Sequence, residues 1–405
     1  MSDRKACVFF DDGRGMLEPL CDLRASFEIR TGALTSLERI TRTLRLEAVA
    51  AYVPESIRRL VEERHTFAVN RTPAIDGSKP MLLINGRCPL PLDVMEELQP
   101  GQAAVERSSG DLICALLTWS EIERLLAGDN PTREAIVVED RVLLARPWDV
   151  IHHRNRAIAI DLSLLATMPR RDMSDYPWMN GENPLSVHPS ARISAGVTFD
   201  LDDGPIVVDE HAVLRSGAVL IGPTYVGIRS TVTEQATIRG NTAIGPVCKV
   251  GGEVAGTIFQ GYSNKAHEGY VGDSWIGEWV NLGAGTTTSN LLNTYGEISA
   301  VAAPGSGREH TGLQFLGGII GDHAKTAIHT RIMGGSVVGT GTMWAATRAL
   351  SGATSRFSWV TDEGARFYRL GRFNDAMDAM MGRRHLQATN AMRERLARLH
   401  ATASS

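Results

Sequence analysis

Aliphatic side chains recur at every sixth position across the middle of the chain, at Val208, Leu214, Leu220, Val226, Val232, Ile238, Ile244 and Val250. Four residues after each stands a small one, Ala212, Ala218, Thr224, Ser230, Ala236, Thr242 and Cys248, until Val254 ends the series. A period of six fits neither the 3.6 of a helix nor the alternation of a hairpin strand. It fits short flat strands joined by corners, three to a coil of about 18 residues, with each aliphatic pointing inward and stacking on its counterparts at about 4.8 Å. The pattern predicts a left-handed parallel β-helix over residues 183–345. Glycine directly after the aliphatic, as at Gly227, Gly245 and Gly251, is expected at the corners, where the dihedrals are awkward for a residue bearing a Cβ.

The phase then slips. It resumes as Tyr270, Ile276, Leu282 and Thr288, and again as Ile320, Thr326, Ile332 and Val338, which leaves two stretches outside the register, 256–269 and 290–312. Loops that leave a rigid solenoid are where function concentrates, so the chemistry is expected there.

The flanks carry other periods. Residues 1–182 alternate strand-like and helix-like segments: CVFF from Cys7, a helical run with Thr35 and Glu38 spaced as a capping box, MLLI from Met81, and a second helical run with Thr118 and Glu121 spaced likewise. This predicts an α/β domain with a mostly parallel sheet. Its ligand is then expected at the carboxyl ends of the strands, at the stretch from Phe9 to Gly15 and at Asn85–Leu90. After residue 345, Phe373, Met377, Met380, Met381, Leu386, Met392, Leu396 and Leu399 fall at roughly helical spacing. They predict a terminal helical segment over 346–405, a cap on the last open coil.

Composition supports this division and removes several function classes. The chain holds 40 Gly against 10 Phe, 7 Tyr and 7 Trp, and most of the glycine follows residue 180. With 42 Lys+Arg against 46 Asp+Glu and no run of five basic residues, nothing would attract a polyphosphate backbone, so nucleic acid is not an expected partner. The five cysteines are scattered and form no CxxC pair, which argues against a disulfide framework and a zinc ribbon. No apolar run of about 18 residues could span a bilayer and the N-terminus lacks a signal-peptide core, so a cytoplasmic protein without a membrane partner is expected.

Residues 265–273 (KAHEGYVGD), followed by Ile276-Gly277 and Val280-Asn281-Leu282-Gly283-Ala284-Gly285-Thr286, resemble the active-site stretch of bifunctional UDP-N-acetylglucosamine pyrophosphorylase/glucosamine-1-phosphate N-acetyltransferases. The match extends over about 26 residues to Asn290 and lies on the repeat that family uses. The resemblance implies that His267 is the general base toward a sugar amine. It also implies that Lys265, Tyr270 and Asn281 contact the amino-sugar phosphate, and that Ala284 and Asn290 sit where the acetyl group and coenzyme A bind. Two departures bear on the acceptor: Leu291 stands where the family has a tyrosine, and Ala255 lies near where a phosphate-binding lysine would fall. An imidazole with an ordinary pKa near 6.5 is suited to accept the amine proton. Backbone N–H groups of Gly283-Ala284-Gly285 are the expected oxyanion donors.

The N-terminal half resembles sugar nucleotidyltransferases, in the divergent version fused to a β-helix. Arg14, Met16 and Pro19 echo the Arg-containing nucleotide loop without its full GxGTR, and 81–90 (MLLINGRCPL) resembles the strand that ends in Gly-Asp-x-Pro-Leu. Further matches are Arg24, Arg30-Thr31-Gly32, and Pro147-Trp148-Asp149 with Asn155 and Asp161. Arg87 replaces the aspartate that would hold Mg²⁺, and a guanidinium cannot ligate a cation. Arg14 and Arg87 are therefore candidate phosphate binders, with a metal held by Asp11 or Asp12 left as an alternative.

Three readings follow. The first is an acetyl-CoA-dependent N-acetyltransferase acting on an amino-sugar phosphate, assembled as a homotrimer that buries the flat faces of the solenoid. The second is a non-catalytic sugar-nucleotide-binding or regulatory protein, and the third has nucleotidyl transfer as the main activity. No metal site is expected from His310, His323 and His329, whose spacing is not that of a β-helical zinc enzyme. Trp275, Trp279 and Phe315 are read as packing between coils or subunits.

Overall fold

The structure, a computed structural model, describes residues 5–167, 170–173 and 176–403. Its contacts divide the chain into two compact units. The first comprises the described residues up to Gly15, with Leu23–Ile29 and Leu34–Ala145; the second comprises Met16–Asp22, Arg30–Ala33 and everything described from Arg146 onward.

The first unit has the expected α/β architecture, but it ends at Ala145 and not at 182: Asp149–Leu165 belongs to the second unit, and Met179–Asn180 already pairs with the solenoid strand Thr198–Asp200. Strands β1 (Lys5–Phe10), β2 (Leu46–Tyr52), β3 (Ala68–Val69), β4 (Met81–Asn85), β5 (Gln102–Glu106), β6 (Leu112–Leu117) and β7 (Glu134–Val138) form one sheet in the order β3-β2-β1-β4-β6-β5-β7. Every pairing is parallel except those of β6 with β4 and β5. Successive side chains of a strand point to opposite faces, so Phe9, Ile84 and Cys114 enter one core while Val8, Leu83 and Ala115 enter the other. Both faces are covered, which is why β1 and β4 read as unbroken apolar runs. Four helices accompany the sheet, α1 (Ser36–Thr43), α2 (Arg58–Arg64), α3 (Val94–Glu97) and α4 (Trp119–Leu126). The N-termini of α1 and α4 are fixed as anticipated: Thr35 and Thr118 N–H donate to Glu38 and Glu121 at 2.8 and 2.9 Å.

The second unit is a parallel β-helix of the left-handed hexapeptide class. Val208, Val226 and Ile244 lie side by side on its first face, Leu214, Val232 and Val250 on the second, and Leu220 and Ile238 on the third, each pair 18 positions apart. All eight are buried, as are the small residues four positions later.

The phase slips because corners shorten, not because the chain leaves the solenoid. Val254 itself becomes a ladder residue, beside Ile238 and only four positions after Val250. Ile244 then pairs with Phe259, 15 positions on, and Val250 with Lys265, also 15. The expected loop at 256–269 is thus mostly in register, with Ile258–Gly261 and Asn264–Lys265 as strands, and only the corner Ala266–Gly269 stands out from it. The resumed series holds at Ile276, Leu282 and Thr288, but at the preceding position the ladder residue is Val271, beside Val254, and Tyr270 faces outward. Residues 289–317 form the real excursion. Ile276 pairs with Ile320, 44 positions on, and the insertion between them holds an antiparallel hairpin of Ser299–Val301 with Arg308–His310.

The glycines after the aliphatics have a different role from the expected one. A Cβ on Gly227 would come 2.7 Å from the Ile244 carbonyl oxygen of the next coil, so close approach of coils requires glycine there. The left-handed backbone occurs two residues later and mostly on other side chains: Arg229, Gln235, Asn241 and Val247 all have φ between 56° and 58°.

The coils continue past residue 345. Ala353–Thr354 pairs with Val337–Val338, and Ser358–Thr361 with Met343–Trp344. Helix α5 (Asp149–Leu165) contacts the first face near Ile206–Val208 and Thr224–Val226. The terminal segment forms α6 (Leu370–Gly382) and α7 (Asn390–Ala403), split at Leu386, which is exposed. α6 does not close the open end as expected; it runs along one corner of the solenoid. Phe373 packs against His323 and Phe357, while just past the helix Arg384 bonds the Val247 carbonyl and lies 6.0 Å from the Trp279 ring. Val247, Trp279, His323 and Phe357 are all left-handed corner residues of one column. No helix among the described residues is long and apolar enough to cross a membrane.

Candidate active site

The residues singled out in the solenoid all fall on two consecutive coils. Asn264-Lys265, the corner Ala266–Gly269 and Tyr270–Gly272 belong to one; Asn281-Leu282, the corner Gly283–Thr286, Thr287-Thr288 and Asn290 belong to the next. The two corners interlock. Gly285 N–H donates to the Glu268 carbonyl at 3.1 Å, and a Cβ on Gly269 would overlap the Thr286 carbonyl. His267 is exposed at the apex of its corner, and Ala284 lies in the corner of the neighbouring coil. Of the three N–H groups expected as oxyanion donors, two serve the fold: Gly283 donates to Thr326 Oγ1 at 3.1 Å and Gly285 to Glu268. Asn281 accepts from the Asn264 amide at 2.9 Å on the outer side of the second face.

Around the next corner Asn290 donates to the Tyr270 hydroxyl at 3.1 Å and to Asp273 Oδ2 at 2.6 Å. The other oxygen of Asp273 accepts from Arg154 of α5 at 2.6 Å, and the same Arg154 nitrogen reaches the Gly256 carbonyl at 2.5 Å. Burial, reinforced by the Asp273 charge, lifts the Tyr270 phenol above its ordinary range and keeps it neutral. Sequence reasoning missed Asp273 and Arg154 as orienting groups, because their partnership spans 119 positions and leaves no local pattern.

Lys265 is not where a substrate contact would be. It occupies a ladder position beside Val250, is 3% exposed, and bonds only main-chain carbonyls of the corner, Gly251 at 2.9 Å and His267 at 2.6 Å. Burial lowers its ammonium to about 8, against a weaker opposing pull from Glu268. Trp275 and Trp279 are buried as expected, whereas Phe315 is 45% exposed on the excursion.

Arg14 and Arg87 belong to the α/β unit, where both meet Asp111. Arg87 is 2% exposed and forks onto Asp12, with Nε at 2.8 Å and Nη2 at 2.6 Å, while Nη2 also reaches Asp111 at 2.5 Å and Nη1 the Leu144 carbonyl at 3.1 Å. The exposed Arg14 pairs with the second Asp111 oxygen. Burial would raise the Asp12 carboxyl, but the Arg87 fork, the Arg14 N–H and the Asn85 amide outweigh it and hold it below its ordinary value. Burial does raise Asp11, whose oxygens accept from Gly13 and Ser26 N–H. These residues do not fit a Mg²⁺ ion: one carboxylate is held by a guanidinium and the other is buried with both oxygens already taken by the Gly13 and Ser26 N–H groups. The metal alternative at Asp11 or Asp12 therefore lacks a donor set. Arg87 is likewise committed to carboxylates instead of being available to a phosphate.

Residues 6–168 match the family model for sugar nucleotidyl transferases. The chain is 35% identical over 138 residues to a bifunctional sugar-1-phosphate nucleotidylyltransferase/acetyltransferase of Sulfurisphaera tokodaii, a match covering 34% of each chain. It is 40% identical over 169 residues to a bifunctional protein GlmU of Acaryochloris marina, covering 39% of this chain and 36% of that one. Each match spans about a third of the relative's own length. An acetyltransferase domain of PglB from Neisseria gonorrhoeae aligns with 66% of this chain at 12% identity and a TM-score of 0.20.

Proposed function

We propose that the β-helix is an acetyl-CoA-dependent N-acetyltransferase for an amino-sugar phosphate of the glucosamine-1-phosphate kind, with His267 as its general base. The observation that carries this reading is the exposed imidazole on a corner interlocked with the Gly283–Gly285 corner of the next coil. The names of the bifunctional relatives support it. His267 removes a proton from the amine as the nitrogen attacks the thioester carbonyl. The C–N bond forms, the tetrahedral oxyanion collapses with loss of the C–S bond, and the thiolate takes up a proton to leave as free coenzyme A. Ala284 N–H is the remaining corner donor for the oxyanion. Tyr270 and Asn281 hold the sugar, while Asn290, oriented by Asp273, holds the donor. Three copies complete the site around a threefold axis, and the five free thiols suit a cytoplasmic setting.

The α/β unit is read as a sugar-nucleotide-binding module without transfer chemistry, because Arg87 closes the carboxylate pair a metal would need. Thiol release from acetyl-CoA with glucosamine 1-phosphate tests the main reading: activity in the wild type and its loss in His267→Ala are expected, and equal rates in the two would overturn it. Pyrophosphate release with UTP, a sugar 1-phosphate and Mg²⁺ would overturn the reading of the α/β unit.

A further inference from the structure

Lys265 breaks the chemistry of its column. The second face stacks Leu214, Val232, Val250, Lys265 and Leu282 in succession, and the four neighbours of the lysine in this run are buried aliphatics, with Thr326 and Trp344 following further along. An ammonium there is unfavourable unless its donors are met, and a leucine would suit the column better, so packing does not account for the lysine. Its Nζ turns back toward the corner and bonds the carbonyls of Gly251 and His267, which belong to successive coils. The neighbouring Gly252 has φ of 68°, and a Cβ there would lie 2.9 Å from Nζ, so glycine leaves room for the ammonium. On the opposite side, Gly285 N–H holds the Glu268 carbonyl. The exposed histidine thus sits between two anchors, one toward each neighbouring coil.

We infer that Lys265 is a positioning residue, which holds the main chain of His267 from inside the solenoid and so aims the imidazole without touching substrate. This rests on the acetyltransfer reading. The resemblance that marked Lys265 as a sugar contact assigned it the opposite side of the wall. A cation reaching two carbonyls across a coil boundary restrains the corner more firmly than any side chain a ladder position ordinarily carries.

The test compares the full-length wild type with Lys265→Met and Lys265→Leu in thiol release and in amide hydrogen exchange. Loss of the anchor is expected to lower kcat about ten- to a hundred-fold with KM for both substrates unchanged, the size of effect produced by small misplacement of a reacting group. Amides of 266–269 are expected to exchange about ten-fold faster or more while those of 213–250 stay protected. Unchanged kcat, a KM effect with kcat intact, or unchanged exchange at 266–269 would each overturn the inference, as would failure of both variants to fold. If the wild type releases no more thiol than His267→Ala, the acetyltransfer reading fails, and exchange alone then decides the anchor: faster supports it, unchanged overturns it.

Discussion

Replacing Lys265 by leucine should stabilise the protein near neutral pH and destabilise it at high pH. In the unfolded chain the lysine keeps its proton up to about pH 10.5, whereas burial lowers the folded value to about 8. Below pH 8 both states are protonated and the wild type carries the full cost of a buried ammonium. Between pH 8 and 10.5 the unfolded state binds more protons, so wild-type stability rises with pH. A shift of that size corresponds to about 3 kcal/mol at 1.36 kcal/mol per unit. Leucine restores the aliphatic column but leaves the Gly251 and His267 carbonyls without this donor, at a cost of about 1 kcal/mol each. The variant should therefore be more stable at pH 7 by about 1 kcal/mol and less stable at pH 10.5 by about 2 kcal/mol. Urea titrations of both proteins at several pH values between 7 and 10.5 measure the difference directly. A gap that does not change with pH would refute the reasoning, because it would mean that the lysine titrates alike folded and unfolded. Together with the expected fall in kcat, the result would mark a position where stability has been given up for geometry.

Two further replacements probe other parts of the molecule. Arg87→Met leaves Asp12 and Asp111 without their shared cation and should destabilise by about 3–5 kcal/mol, with part of the loss recovered in Asp12→Asn/Arg87→Met; chemical denaturation unchanged by Arg87→Met would contradict a buried ion pair. Gly227→Ala should cost about 1–3 kcal/mol because its Cβ would meet the Ile244 carbonyl, while Arg229→Gly, at φ 56°, should alter thermal denaturation little; the reverse order would show that corner dihedrals, not coil contact, select glycine.

The solenoid was legible because stacking forces the same chemistry onto every column, and an 18-residue coil turns that demand into a run such as Val208 to Val250. It ceased to be legible at Val254, where a shortened corner moved the ladder by two positions and made an in-register coil look like a loop. Thr35 and Glu38 marked the start of a helix because capping is local. Arg87 was seen to displace a metal ligand, but not that Asp111 would complete its cage, since that partner lies 24 positions away in the connection that leads into β6. Lys265 was misplaced because the resemblance marked it as a sugar contact, while the shortened corners hid its ladder position beside Val250, 15 residues on instead of 18. The path of α6 could not be read either, because its docking groove is a column of residues spaced coils apart.

The excursion at 289–317 carries a consequence for how such chains diversify. Ile276 and Ile320 are neighbours although the coil joining them is longer than the usual 18 by 26 residues, since 320 minus 276 is 44. Closing a detour of that length costs roughly 3 kcal/mol plus a constant, and doubling it would add only about 0.6. The rows on either side pair directly across the gap, while the base of the detour is tied to the wall by Asn290 on Asp273 and by Ser299–Val301 packed on Ser336–Val338, so only its tip, the turn between Val301 and Arg308, is free to vary. Such a tip acts as a socket, into which evolution or an engineer can splice foreign segments while the stacked wall folds unchanged around the gap.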